Sequence, residues 1–481
     1  MGRDLGISVR KGEDFSEWYT QAVAKAGLAD YAPMKGFIIL MPYGYSIWER
    51  IRAFMDAELE RLGHKNAYFP ALIPESLLRK EAEHFSGFVP EVLWVTQAGD
   101  RELNERLAVR PTSETIIYAS ISKWIKSWRD LPLLLNVWNS VMRAEIKSTK
   151  PFIRTTEFLW QEGHTIHETK EEAEKEVFLI LEVYKRLMEE VLAIPVIAGY
   201  KSESEKFVGA LYTTTLEAIM PDGRALQMGT SHNLGQNFSI PFEIKYLGRD
   251  EKEHFAWTTS WGISWRLIGA VIMVHGDDKG LILPPRIAPI QAVIVPIFYN
   301  DEEREGALRK GRELLEELRA NGIRAFMDDR TQYTPGWKFN EWELKGVPLR
   351  AEIGPRNLRE GTITLSRRDS GKKEDVGDRD APSRARELLE EVQRSLFERA
   401  KALLESMTHV ARDFSELKSI IEGRGGFVKA CWCGSPECES KIKEQTGATI
   451  RAIPFEKEPP FSGCVWCGKE AKGPVYFAKA Y

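Results

Sequence analysis

The sequence predicts an α+β protein in three unequal parts: an antiparallel sheet flanked by helices, an α/β domain, and a small cysteine-bearing α+β module. Three observations carry this. Helical periodicity and short apolar strands alternate irregularly up to about Pro285, unlike a regular βαβ series. From Ile290 a strand (292–295), a charged helix (302–320) and a second strand (324–327) follow in βαβ order. All five cysteines fall between Cys431 and Cys467.

Each element has a local reason. Residues 14–26 read as a short amphipathic helix ended by Gly27, and 37–41 as an apolar strand. Ile47, Ile51, Phe54, Met55, Leu59 and Leu62 form one stripe of a helix over 45–62, stopped by Gly63. A strand over 66–69 is broken by Pro70. Residues 137–145 and 157–164 pair as strands around a basic loop, 147–150. Residues 257–271 run from a strand into an apolar helix. Pro284-Pro285 closes a first domain, 1–285. The second, 286–404, runs through a polar stretch (369–380) to a long helix (383–404), and the cysteine module occupies 405–481.

Composition bounds the function. A chain of 481 residues suits about three domains. With 43% hydrophobic and 29% charged residues it can bury a sizeable core, which excludes wholesale disorder. The net charge of −4 gives no hint of a polyanionic partner, so any basic surface must be local. Cysteines confined to one end exclude a disulfide-stapled secreted fold. The first residues lack a signal-peptide core, and Gly6 stands where a myristoylation signal would want Ser or Thr. Apolar runs such as 267–274 are too short to span a bilayer. A soluble, cytoplasmic chain without a membrane partner is expected.

The densest chemistry lies between 137 and 169. By the two-residue period of a strand, Arg143 and Glu145 share a face, as do Phe158, Trp160, Glu162 and His164. Charged groups are rarely buried unpaired, so this is either a solvated face with chance ion pairs or a site. Glu162, His164 and His167 could also form a metal cluster, though no cysteine accompanies them. Arg266 sits in an otherwise apolar helix. It either snorkels to the surface or meets a buried anion, for which a nucleotide phosphate is the natural candidate.

Arg143-x-Glu145 with its basic loop resembles motif 2 of class II aminoacyl-tRNA synthetases. Residues 257–271 fit motif 3, and the helix and strand over 46–70 supply motif 1, in the family's order. The resemblance implies that Arg143 grips the α-phosphate of ATP and that motif 1 forms a homodimer interface. Arg110-Pro111-Thr112-Ser113-Glu114, Gly163-His164-Thr165, Gly229-Thr230-Ser231-His232 and Ser260-Trp261-Gly262 further resemble prolyl-tRNA synthetases. Taken alone, Thr112-Ser113 also reads as a helix N-cap, with Glu114 a first-turn acid. In the family that acid receives the ring nitrogen of proline. Proline requires an acid, an aromatic wall and a cation, and Glu114, Trp160 and Arg143 supply those types. By resemblance Thr112, Glu162, His164, His232 and Ser260 complete the pocket. Glu145, Arg154, Gln227 and Thr230 join Arg143 and Arg266 around ATP. Strict alternation sets Gln227 and His232 on opposite faces, so a β-bulge near Gly229 must intervene.

The implied reaction attaches L-proline to tRNA(Pro) through prolyl-adenylate. No enzyme nucleophile is needed, and the sequence has no G-x-S-x-G or Walker loop. Positioning and charge stabilisation by Arg143, Arg266 and Mg2+ would carry catalysis, with Glu145 orienting the nucleotide. Only 90 residues separate His167 from Trp257, which leaves no room for the large editing insertion of bacterial-type relatives. Two rival readings stand beside this one: a class II synthetase for another small amino acid such as cysteine, and an inactive paralogue acting as an RNA-binding regulator.

The second domain resembles the anticodon-binding domain of class II synthetases. Residues 345–373 hold eight Lys/Arg against three Asp/Glu, either a stripe for a phosphate backbone or solvated surface. Residues 335–350 resemble the base-reading region of the prolyl enzymes, which assigns Glu343 and Arg350 to anticodon guanines. Four thiolates of the last module would close a tetrahedral structural Zn2+ site. Spacing alone allows Cys431 in place of Cys433. The x4/x2 spacing of archaeal and eukaryote-like prolyl enzymes selects Cys433, Cys438, Cys464 and Cys467. By itself such a module could be a nucleic-acid-binding ribbon; a structural buttress is the expectation. In the family a terminal tyrosine carboxylate reaches back to the catalytic domain, a role that would fall to Tyr481.

Overall fold

The computed structural model describes residues 6–84, 92–144 and 149–481. Its first part is built on a seven-stranded sheet. The strand order is Lys65–Ala67, Leu133–Met142, Glu157–His167, Trp257–Ser264, Ala225–Gly235, Tyr212–Ile219, Ile197–Tyr200. Every pairing is antiparallel except the first, where Lys65–Ala67 runs parallel to Leu133–Met142. The long excursion between those two strands, rather than a hairpin, permits the parallel edge. Within it, Leu72–Pro74, Arg101–Val109 and Trp94–Ala98 form a separate three-stranded sheet that alternation had not revealed.

Helices cover one face of the large sheet. Lys170–Arg186 begins at a capping box, in which Thr169 and Glu172 satisfy each other's backbone N–H groups. Its Ala173, Val177, Ile180, Leu181 and Tyr184 recur at helical steps and are buried. Ile180, Leu181 and Tyr184 share a core with Trp18, Ile47, Ile51, Trp261 and Ile263. Gly163 permits this packing. A Cβ there would come within 2.2 Å of three ring atoms of Trp261, its partner on the next strand. With one face committed to the core, alternate residues of the same strands are left to the other.

The second part is a five-stranded mixed sheet. Ala325–Met327, Ala292–Pro296 and Leu349–Ile353 are parallel, and Thr362–Arg367 and Lys373–Gly377 continue antiparallel. Asp301–Ala320 and Ala381–Ser406 pack their apolar stripes on it. The polar stretch at 369–380 thus contains an edge strand, Lys373–Gly377. Its residues are exposed or half-buried and carry no apolar signal.

The third part is a four-stranded sheet: Thr408–Ala411, Phe427–Trp432, Gly473–Ala478, Thr449–Ala452. It docks on the first part by backbone pairing, Ile453 with Tyr200 and Ala480 with Ala225. No described helix is long and apolar enough to cross a membrane.

Candidate active site

His164, Ser260 and His232 form a row across three neighbouring strands, each the register partner of the next. Two residues along, Glu162, Gly262 and Thr230 form a second row, and Trp160 with Ser264 a third. Gly262, lacking a side chain, leaves depth between Glu162 and Thr230. Leu216 pairs with Gly229 while Glu217 pairs with Gln227, so Met228 is the extra residue of a β-bulge. That bulge returns Gln227 to the face of His232, as the sequence required. The result is a cleft of about 250 Å³ lined by Thr112, Glu114, Arg143, Trp160, Glu162, His164, Gln227, Thr230, His232, Ser260 and Arg266.

Thr112 and Glu114 enter from the start of the helix Glu114–Ile121. Ser113 does not act as a side-chain cap; its hydroxyl donates to Glu162 instead. Glu114 is buried in the first turn, where the helix N-terminus favours a carboxylate, and it accepts the Thr112 hydroxyl.

Glu162 is enclosed by donors. Asn139 Nδ2 donates to it at 2.8 Å, and His164 Nε2 lies 3.0 Å from its other oxygen. Trp160 Nε1 in turn donates to Asn139 at 2.5 Å. Burial works against a charge on Glu162, but the bonds from His164, Ser113 and Asn139 hold its carboxyl below the usual range. Burial also works against protonating His164, yet Glu162 raises it above the ordinary imidazole value. His232 goes the other way: burial, with His164 nearby, lowers it to about 3. Neutral His232 is held between Thr213 (2.8 Å) and Thr230 (3.1 Å), against the ring of Phe207.

Arg143 follows the strand Leu133–Met142, and its guanidinium lies over Phe158 and Trp160 at 5.2 and 5.9 Å. Arg266 opens the helix Arg266–His275 instead of standing inside it. Its Nη1 donates to the Gln227 carbonyl at 3.4 Å, and its buried Nε has no hydrogen-bond partner among the described residues. Burial, then the positive field of Arg143, lower Arg266 to about 10. Two guanidiniums about one cleft, with a buried donor unused, make an anion site.

Two expected nucleotide residues stand apart. Arg154 is exposed in the turn after the basic loop, where its N–H bonds the Lys150 carbonyl, and it does not line the cleft. Strand alternation does not carry through a turn. Glu145 lies outside the described residues. Conversely, the sequence leaves Asn139, Lys201, Phe207 and Thr213 unassigned and offers Ser113 only as part of a helix N-cap. Asn139 had a signal, lying four residues before Arg143 in the same strand segment. Lys201 and Phe207 arrive on a loop whose pattern carries none.

In the second part, Glu343 and Arg350 pair with each other at 3.2 Å. Arg350 also meets Glu352 at 2.9 Å and lies over the ring of Phe339 at 4.0 Å. Both residues line a small pocket with Arg367 and Arg368. The basic stripe needs correcting. Lys345, Arg350, Arg356, Arg367, Arg368 and Lys373 are all in ion pairs, with Glu341, Glu343, Asp375, Glu391 and Asp277 contributed from outside the stretch. A count along the chain misses acids that folding brings alongside.

The sulfurs of Cys433, Cys438, Cys464 and Cys467 all lie within 4.8 Å of one another. Cys431 stays out of the group; its buried sulfur accepts the Phe461 N–H at 3.4 Å. Burial pushes Cys464 up, but backbone N–H groups of Cys467 and Trp466 outweigh it and bring the thiol to about 7. Four convergent sulfurs fit a tetrahedral soft cation. Glu162, His164 and His167 do not form a metal-binding group among the described residues. Tyr481 docks on the first part: its hydroxyl donates to Asp222 and its N–H to the Ala225 carbonyl, with Lys150 over its ring.

Comparison with known proteins finds relatives for all three parts of the chain. Residues 94–275 match the tRNA synthetase class II core domain (G, H, P, S and T), 291–388 an anticodon binding domain, and 414–481 the prolyl-tRNA synthetase C-terminal family. The chain is 58% identical over 477 residues to a proline–tRNA ligase of Cenarchaeum symbiosum, covering 99% of this chain and all of that one. It is 54% identical over 468 residues to a proline–tRNA ligase of Alkaliphilus oremlandii, covering 97% and 96%. A crystal structure of prolyl-tRNA synthetase from Cryptosporidium parvum, complexed with halofuginone and AMPPNP, superposes with a TM-score of 0.95 at 41% identity. The match covers 99% of this chain and 100% of that one.

Proposed function

The chain belongs to the prolyl-tRNA synthetase family of class II aminoacyl-tRNA synthetases and attaches proline to tRNA, and from that premise we propose how its cleft does so. Glu114 receives the secondary ammonium of proline, Trp160 and His232 wall its ring, and Arg143 meets its carboxylate. Glu162, which also lines the cleft, braces His164 through its bonds with Ser113, Asn139 and His164. Gln227, Thr230 and Arg266 hold ATP.

A proline carboxylate oxygen attacks the α-phosphorus and pyrophosphate leaves, giving prolyl-adenylate. Arg143 and Arg266 offset the negative charge that builds on the phosphoryl oxygens. A ribose hydroxyl of the tRNA then attacks the acyl carbon, losing its proton as AMP departs. Mg2+ bound to the nucleotide's phosphates would supply further charge neutralisation. The single observation carrying these assignments is that one cleft gathers Glu114, Trp160, Arg143 and Arg266 around the row His164, Ser260, His232.

In the second part, Glu343 and Arg350 would exchange their mutual pair for guanine edges of the anticodon. Cys433, Cys438, Cys464 and Cys467 would hold a structural Zn2+. The domains divide at 285 and 404, and the segment 46–70 forms the interface of a cytoplasmic homodimer. Relatives that are proline–tRNA ligases over nearly the full length favour proline over cysteine, and an enzyme over an inactive RNA-binding regulator. Glu114→Gln should raise the KM for proline and leave that for ATP unchanged in ATP–pyrophosphate exchange. A parallel rise in both would contradict the role given to Glu114.

A further inference from the structure

Glu217 is fully buried on the strand Tyr212–Ile219, directly opposite Gln227. Three side chains converge on its carboxylate. Lys201 Nζ donates at 2.7 Å and Thr215 Oγ1 at 2.9 Å. The third is Arg451, 234 residues away in the C-terminal module. Its Nε and Nη2 donate to Oε2 at 3.1 and 3.0 Å, a two-pronged pairing that fixes the guanidinium plane. Lys201 is itself among the residues lining the nucleotide cleft.

The surrounding contacts tie the two parts at the same place. Tyr200, beside Lys201, exchanges backbone hydrogen bonds of 2.8 Å with Ile453 in both directions. Ser202 donates to the buried Glu439 at 2.6 Å, and Lys443 lies 3.4 Å from Glu205. Glu439 and Lys443 belong to the helix Pro436–Thr446, which also bears Cys438. The C-terminal module therefore covers the edge strand of the large sheet and holds the loop that walls the cleft.

The charge count decides what this can do. One deeply buried carboxylate, Glu217, faces two cations, Lys201 and Arg451, all with side chains 7% exposed or less, and a second, half-buried carboxylate, Glu205, reaches Arg451 only at 3.9 Å. Among the deeply buried groups the cations outnumber the carboxylate, and Glu205 offsets Arg451 from its more exposed side, so Lys201 does not have to supply all of the charge that Glu217 needs. Burial lowers Lys201 despite Glu217, with Arg451 adding to the lowering, as expected of an ammonium that shares its counter-ion. Arg266 feels the same pair, favoured by Glu217 and opposed by Arg451.

We propose that Arg451 is a positioning residue for the nucleotide subsite: by pairing with Glu217 behind the wall, it leaves the charge of Lys201 available to the phosphates of ATP. The C-terminal module is then part of the active site by electrostatics, without touching substrate. This rests on the cleft being the ATP site, as read above.

The test compares Arg451→Met, Glu217→Gln and the double variant in proline-dependent ATP–pyrophosphate exchange, with thermal unfolding measured on each. Relative to the wild type, the net charge of the cluster falls by one in Arg451→Met, rises by one in Glu217→Gln and is restored in the double variant. The KM for ATP should rise about tenfold in Arg451→Met with the proline KM unchanged, the size of one lost charge-assisted contact. Glu217→Gln should unfold at lower temperature without any rise in the ATP KM, and the double variant should regain the wild-type ATP KM. A purely structural role would raise both KM values in each single variant in step with lost stability. That outcome, or an unchanged ATP KM in Arg451→Met, overturns the proposal. Absence of proline-dependent exchange in the wild type would instead remove the reading of the cleft.

Discussion

Glu162 and His164, alternate residues on one face of one strand, form a buried pair 3.0 Å apart at the floor of the cleft. Neither is expendable to the other, because low-dielectric surroundings penalise each charge alone. Truncation of Glu162 to Ala should destabilise the fold by about 3–5 kcal/mol, the usual cost of leaving a buried partner unpaired. His164 is raised above its ordinary 6.5, so its share of stability is full below that pH and is lost as pH rises through the raised value. Glu162 is lowered from 4.5, so its share is present above that and is lost as pH falls through the lowered value. NMR titration of the His164 ring should show a pKa above that of free histidine in the wild type and a lower one in Glu162→Gln, where only Glu114 is left to oppose burial. Identical titrations would contradict the pairing.

Gly163 sits between these two residues but points to the opposite side. Because an added methyl would meet the ring of Trp261, Gly163→Ala should cost about 1–3 kcal/mol in urea unfolding, as overpacked cores do. Trp261→Leu in the same chain should recover part of that loss, since the two substitutions act on one contact. Additive losses would show that the glycine matters for another reason.

Arg350 and Glu343 line a pocket of their own and not the cleft, so the two half-reactions separate them from it. Arg350→Ala should leave tRNA-independent exchange unchanged while lowering kcat/KM for aminoacylation. A specific base contact of about 1–3 kcal/mol corresponds to a loss of roughly 5- to 150-fold. Equal losses in both assays would place its effect in the fold.

The four-sulfur group should bind one Zn2+ per chain, measurable by atomic absorption on purified protein. Cys438→Ser should lose the metal and unfold at lower temperature, whereas Cys431→Ser, outside the group, should keep it. Retention of zinc by Cys438→Ser would reassign the ligands.

Much of this site was legible because strands impose a simple rule. Period-two alternation set Trp160, Glu162 and His164 on one face, and its failure between Gln227 and His232 required the bulge found at Met228. What alternation cannot reach are turns and distant partners. Arg154 fell in a turn and left the cleft. The excess of cations over 345–373 dissolved because Asp277 and Glu391, far along the chain, fold against Arg368 and Arg367. Lys373–Gly377 reads only as part of a polar stretch because an edge strand in solvent has no apolar side to display. Arg451 gave no sign in the sequence at all, since its meaning comes from Glu217, 234 residues earlier.

ATP–pyrophosphate exchange over a panel of amino acids, with the wild-type chain and no tRNA, tests the central claim most directly. Proline should stimulate exchange well above cysteine, alanine and the remaining amino acids, and Arg143→Ala should abolish the stimulation. Exchange without dependence on proline, or an Arg143→Ala chain as active as the wild type, would contradict it.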